Sequence, residues 1–179
     1  LPIKGDIYKS FLADLDVWKN DDGLIADYGV APYDWRLSLD DILESGKKAG
    51  DNISYTEPIA SPYIIGELRR LAATSKSGKV TLIAHSNGGL VAKALTDKLG
   101  AEAADLIDKI VFVAVPQSGT PQAIGAILHG YDQGLPVNWF PFTLTPQTAR
   151  TLAQNMPSAY NLLPSAAYFS GAGSGVTTP

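Results

Sequence analysis

The chain has 179 residues, with 14 Lys plus Arg against 18 Asp plus Glu and a formal net charge of −4. At 45% hydrophobic and 18% charged, it has the balance of one ordinary globular domain, without the low hydrophobicity and high charge of a disordered chain. No run of about 18 apolar residues offers a bilayer span, and the acidic balance lacks the clustered basic patch of a nucleic-acid binder. With no Cys, neither a disulfide, a thiolate metal site nor a Cys nucleophile can form.

In chain order, Ile7, Phe11, Leu15 and Trp18 recur at helical spacing and predict a first helix with one apolar face. Gly23 punctuates, and Leu24 to Val30 is short and apolar enough for a strand. Ser38-Leu39-Asp40-Asp41 has the Ser-x-x-acid form that opens a helix, here through about Lys48. Ser61-Pro62 puts a capping hydroxyl before a proline suited to a first turn. Ile64, Leu68 and Leu71, with Ile65 and Ala72, then form an apolar stripe. After Ser77-Gly78 comes Lys79 to Ala84, whose nearly continuous apolar run predicts a strand covered on both faces. Asn87 to Leu99 reads as a helix with Leu90, Val91, Ala94, Leu95 and Leu99 inward and Gly100 as its stop. Ala101 to Ile107 is a further helical piece, and Ile110 to Val115 a second strongly buried strand. Strands joined by helix-length connections imply a parallel sheet, so the class is α/β.

Charge then stops. All 18 acids lie at or before Asp132, and from Gln133 to Pro179 the only charged side chain is Arg150. That stretch is rich in proline and predicts irregular structure with one helix, ending in a frayed Ser/Gly/Thr tail. The expected division is a sheet-and-helix core over 1–132, a cap-like segment over 133–169 and a flexible tail over 170–179.

Between the strand ending at Ala84 and the helix beginning near Asn87 lies Ala84-His85-Ser86-Asn87-Gly88-Gly89. A small-x-Ser-x-Gly pattern in strand–turn–helix context is the setting of a nucleophile elbow. A sharp turn would expose the Ser86 hydroxyl above the sheet, with Ala84 and Gly88 as the small neighbours it tolerates. The Asn87 N–H would serve as one oxyanion donor, helped by the positive end of the following helix. A serine between small residues also arises by chance, and Gly88-Gly89 would equally allow close helix–sheet packing. The placement after a buried strand and before an amphipathic helix favours the catalytic reading.

These residues carry a resemblance. Lys79 through Lys93, KVTLIAHSNGGLVAK, resembles the nucleophile region of α/β-hydrolase lipases and esterases. Ala31-Pro32-Tyr33-Asp34-Trp35-Arg36 resembles the Pro-Tyr-Asp-Trp-Arg segment of lecithin:cholesterol acyltransferase-like enzymes. Val115-Pro116-Gln117-Ser118-Gly119-Thr120-Pro121 is similar to that family's strand end after the elbow, and Met156 to Pro164 to its Pro-Ser-x-x-x-Leu-Leu-Pro segment. The four matches run in order from about residue 31 to 164. The resemblance implies a three-layer α/β-hydrolase core, with Leu24 to Val30 and the two later strands as its fourth, fifth and sixth strands. It also implies acyl transfer from a lipid or other ester through a seryl acyl-enzyme, to water or to an alcohol. Ser86 carries over as nucleophile and Asn87 as backbone donor. His85 carries over as an elbow residue whose ring packs against neighbouring strands. No metal or organic cofactor is implied. The Asp34 and Arg36 pair admits two readings, an anion-binding or substrate-orienting role and a structural one. The structural reading is favoured, with Arg36 on carbonyls near the top of the sheet and Trp35 packed.

A seryl hydrolase needs a His base and a carboxylate to orient it, in the chain order Ser, acid, His. Only His85 and His129 are present. His85 is excluded by adjacency, and His129 precedes the last acid, Asp132, so it reads better as an exposed His at a helix C-terminus. No oxyanion-loop strand precedes the first helix, and Leu1 stands where a Met would. The expectation is therefore a section of a longer enzyme, inactive alone, in need of a complementing segment or partner chain. The uncharged stretch Gly134 to Leu144, with Trp139, Phe140 and Phe142, resembles the start of a cap. Packing against a missing remainder is its favoured use, and contact with acyl chains or a membrane surface its alternative. Rival functions are a non-catalytic hydrolase-like interaction module and an esterase acting on glycolipid anchors or other esters.

Overall fold

The computed structural model describes residues 8–130 and 145–171. Its centre is a parallel pair of strands, β3 (Val80–His85) and β4 (Ile107–Val113), joined through α4 (Gly88–Leu99) and the short α5 (Glu102–Leu106). Leu82 pairs with Ile110, Ile83 with Val111 and His85 with Val113. Helix α3 (Tyr63–Thr74) precedes β3 and packs with α4 and α5 on one side of this pair. There Ile64, Ile65, Leu68, Val91, Leu95, Ala103 and Ile107 meet Ile42 and Leu43, the two most deeply buried side chains, from α2 (Leu39–Glu44). The stripe expected on α3 is the stripe buried, with Leu71 half-buried at its margin.

Alternation gives the opposite face of the sheet to Ile83, Val111 and Val113. Those three side chains remain 50%, 43% and 44% exposed. The expectation of strands covered on both faces is therefore corrected: among the described residues, helices cover one. Helix α1 (Lys9–Asn20) lays Phe11, Leu12 and Leu15 half-buried but buries none of its side chains fully, and Trp18 is exposed. Ile7, Asp132, the stretch 134–144 and most of the tail lie outside the described residues.

Leu24 to Val30 is not a strand. Among the described residues no strand pairs with it, Leu24 is 70% exposed, and polar ties replace a ladder. Asp27 takes Lys19 Nζ at 2.8 Å and Arg70 at 2.9 Å, while Tyr28 Oη donates to Asp16 at 2.7 Å. These bonds fasten the segment between α1 and α3. The Lys19 and Arg70 hydrogen bonds pull the Asp27 pKa from 3.8 down to about 2. The folded pKa lies below the unfolded one, so the contribution is complete above about pH 4 and disappears as pH falls toward 2. Asp27→Asn should cost about 1 kcal/mol at pH 7, the surface setting holding the effect to that size. Urea melts should show that difference shrinking below pH 4; a gap that persists at pH 2 would count against the ion-pair origin.

Ser38 caps α2 as its pattern predicts, its Oγ accepting the Asp41 N–H at 3.0 Å. The helix ends at Glu44, however, instead of near Lys48. Gly46–Ala49 (β1) and Asn52–Tyr55 (β2) form an antiparallel hairpin. Its two-residue turn, Gly50-Asp51, has Gly50 at φ +60° and no positive φ at Asp51, the pattern of a type II′ turn. At α3 the capping expectation also fails, because Pro62 itself occupies the cap position and makes no side-chain cap.

The proline-rich end holds more helix than expected. Beyond α6 (Pro121–His129) come α7 (Pro146–Gln154), α8 (Pro157–Asn161) and α9 (Ala166–Gly171). Pro121, Pro146 and Pro157 each stand in a first turn, where a missing N–H costs nothing. Thr145 Oγ1 accepts the Thr148 N–H at 3.2 Å to cap α7. Helices α6, α7 and α8 pack through Ala126, Ala153 and Ala159, with Ile127 and Met156 around them. This second cluster is tied to the segment after β4 by Thr120 N–H to Leu162 O at 2.8 Å and Ser165 N–H to Ser118 O at 2.9 Å.

Candidate active site

Ser86 lies between β3 and α4, and its backbone turns at φ +52°. That left-handed conformation costs an L-residue roughly 1–2 kcal/mol, and among the described residues only Ala114 (φ +49°) shares it outside glycine. The two strained residues terminate the two paired strands side by side, and the Ser86 N–H donates to Val113 O at 2.9 Å. Ser86 is exposed, and its hydroxyl has no protein hydrogen-bond partner among the described residues. Ala84, two residues earlier, is buried beneath the turn.

The donors around this turn divide in two. The Gly89 N–H bonds Ser86 O at 3.0 Å, and the Leu90 N–H bonds Asn87 O at 3.0 Å. The N–H groups of Asn87 and Gly88 have no acceptor among the described residues. They stand at the positive end of the 12-residue α4, where an anion is favoured. The two glycines differ in what they allow. A Cβ on Gly88 would meet only Tyr33 Oη, at 3.6 Å, whereas one on Gly89 would collide with Val115, 2.8 Å from its Cβ and closer to both methyls. Close approach of α4 to the chain leaving β4 therefore depends on Gly89.

His85 lies on the open face of the sheet. Its ring is not packed against neighbouring strands, as expected, but exposed. Nδ1 sits 2.8 Å from Tyr8 Oη, and the two rings meet edge to face at 5.9 Å. Tyr8 stands at the start of α1, a position that no periodicity marks out. His129 is the exposed last residue of α6, as its sequence position suggests.

The Tyr33 to Arg36 segment reaches the same region. Asp34 and Arg36 form a two-pronged ion pair, Nε to Oδ1 at 2.8 Å and Nη2 to Oδ2 at 2.6 Å. That guanidinium holds the Asp34 carboxyl below its ordinary pKa. Arg36 thus grips its own neighbour and not the carbonyls at the top of the sheet, and Trp35 is 59% exposed instead of packed. The Asp34 N–H donates to Tyr55 Oη at 3.2 Å. Burial raises the Tyr33 phenol pKa. In the sequence Tyr33 stands out only as part of a motif; a half-buried tyrosine immediately before the ion-paired Asp34 carries no periodic signal of its own. Among the described residues no group of His, Asp or Glu is arranged to hold a metal ion.

A parallel strand pair with helices packed against it makes this an α/β protein, with an exposed serine on the strand-to-helix turn. The profile of the lecithin:cholesterol acyltransferase family matches residues 6–174, nearly the whole chain, and the chain belongs to that family. Membership implies an enzyme of the lipid acyltransferase or lipase type. No curated protein and no solved structure matches the chain.

Proposed function

We propose that Ser86 is the nucleophile of an ester-cleaving or acyl-transferring reaction on lipid-type esters. The observation that carries this reading is the exposed Ser86 hydroxyl on a left-handed turn at φ +52°, beside two backbone N–H groups without acceptors. The Ser86 hydroxyl would attack the ester carbonyl while the Asn87 N–H receives the negative charge forming on oxygen. Collapse of that tetrahedral adduct would expel the alcohol and leave the acyl group on Ser86. Water, or a second alcohol, would then take the acyl group and restore the hydroxyl.

The proton on Ser86 needs a base, and neither histidine suits that role. His85 Nδ1 is engaged with Tyr8 Oη, and His129 closes a helix. These 179 residues alone are therefore proposed to react slowly, because an unassisted hydroxyl is a weak nucleophile. A fluorophosphonate probe followed by peptide mapping tests both statements. Slow modification confined to Ser86 and abolished by Ser86→Ala is expected. Rapid stoichiometric labelling would show that a base is present, and labelling spread over other hydroxyls would remove Ser86 from the chemistry. The half-exposed Ile83, Val111 and Val113 favour one rival, a hydrolase-like module that binds a partner through its sheet. Absence of any labelling would favour that rival.

A further inference from the structure

Contacts beyond the C-terminal ends of β3 and β4 close into a circuit. Tyr33 Oη meets the first turn of α4 at Gly88, and Gly89 in that turn lies against Val115. The chain runs on from Val115 to Thr120, whose N–H donates to Leu162 O at 2.8 Å. Leu162 ends α8, and the buried Ser158 of that helix returns its N–H to Arg36 O at 3.4 Å. Arg36 leads back along the chain to Tyr33, and Ser86 stands on the circuit at the head of α4. Over 31–37, 86–90, 115–120 and 157–165 the only charged side chains are Asp34 and Arg36, which neutralise each other as an ion pair. Trp35, Tyr160 and Leu163 are the large apolar side chains there that remain exposed.

Trp35 is the most exposed of the three, although tryptophan is ordinarily well buried. Its backbone is not loose. The Leu37 N–H closes a turn on Asp34 O at 3.2 Å, the Arg36 N–H bonds Asp34 Oδ1 at 3.1 Å, and the Asp34 N–H is held by Tyr55 Oη. A fastened turn thus presents an indole to solvent, so a ligand gains a large apolar face without the cost of ordering a loop. We infer that Trp35 sets the substrate preference of this turn: its indole receives the acyl chain of the ester that Ser86 attacks. The inference rests on the proposed role of Ser86 as nucleophile. Hydrocarbon can cover an uncharged circuit without stripping water from a lone charge, whereas a charged headgroup would find no unpaired countercharge on it.

Two fluorophosphonates test this on the whole chain, one with an ethyl tail and one with a dodecyl tail, both below the concentration at which the latter forms micelles. The dodecyl probe is expected to label Ser86 faster than the ethyl probe, and Trp35→Ala should cut the ratio of the two rates about 5- to 20-fold. Trp35→Phe, which keeps an aromatic face, should retain most of the ratio. A merely structural loss would slow both probes alike and leave the ratio in place. Trp18 and Trp139 are the other two indoles, so Trp18→Phe with Trp139→Phe leaves Trp35 as the sole tryptophan emitter. A bromine-bearing dodecyl label fixed on Ser86 should then quench Trp35 more than the unbrominated label does. A ratio untouched by Trp35→Ala, or equal emission with the two labels, would overturn the role of Trp35 while leaving Ser86 as nucleophile. Failure of both probes to label Ser86 would overturn that role together with the proposed function.

Discussion

Gly89→Ala is expected to lower the unfolding free energy by about 1–3 kcal/mol, although alanine is the better helix former by about 1 kcal/mol. Two effects oppose each other at this position. The propensity gain applies to any glycine within α4, but at Gly89 the new Cβ would stand 2.8 Å from Val115 Cβ and nearer still to its methyls. The collision reaches the branch point of the valine, so a change of rotamer does not relieve it. Nor is the backbone of Val115 free to yield, since it follows the left-handed Ala114 and its carbonyl accepts the Gln117 N–H at 2.9 Å. The neighbouring Gly88→Ala supplies the control. It offers the same propensity gain with an ordinary 3.6 Å contact to Tyr33 Oη, and should be neutral or mildly stabilising. Paired urea melts that place the two variants at equal stability would refute the steric account.

A second large effect is expected at Gly130, which ends α6 in the left-handed region at φ +62°. Gly130→Ala adds conformational strain of roughly 1–2 kcal/mol. Its Cβ would also press on the Pro146 carbonyl, 2.8 Å from the carbon, and stand 3.0 Å from the Arg150 N. Those atoms belong to the first two turns of α7, so the displaced element is the α6–α7 contact. The cost should exceed about 2 kcal/mol. Ala126, Ala153 and Ala159 form a cluster separate from the one around Ile42, Leu68 and Leu95. Hydrogen exchange should therefore accelerate across α6, α7 and α8 while the amides of α3 and α4 keep their protection. Equal loss of protection in both regions would mean that the two clusters open as one unit.

The sequence was most legible where local chemistry and packing agree. Val80 to His85, Gly88 to Leu99 and the stripe of α3 combine a clear period with clear stop signals, and all three formed as elements. The Ser86 turn was placed by the same means, since a buried strand meeting an amphipathic helix across two or three residues leaves little choice of geometry. Leu24 to Val30 failed because strand formation is decided by a neighbour, and apolar content says nothing about whether one is there. The β1–β2 hairpin was missed although Gly50-Asp51 offered a turn signal, because the Ser38 cap was extrapolated past the point where helix evidence ended. Proline content predicts irregular structure in the last third of the chain, yet Pro146 and Pro157 each start a helix. Side-chain relations were the least legible. Nothing in linear order pairs Tyr8 with His85 or brings Tyr33 beside Gly88, since each joins residues more than 50 positions apart that only the tertiary fold brings together.

The backbone at Ser86 bears on how this position could change over time. Glycine occupies a left-handed turn without the Cβ penalty, and Ser86 makes no side-chain bond within the described chain that glycine would forfeit. Replacement by glycine would thus relieve strain while removing the hydroxyl, so foldability alone pulls this site toward glycine. Threonine is blocked in the other direction, because a β-branched residue fits a positive φ worst of all. The turn is therefore a one-way ratchet for any lineage relieved of the need for a nucleophile: the hydroxyl is easily lost to a more stable chain, and regained only against the strain.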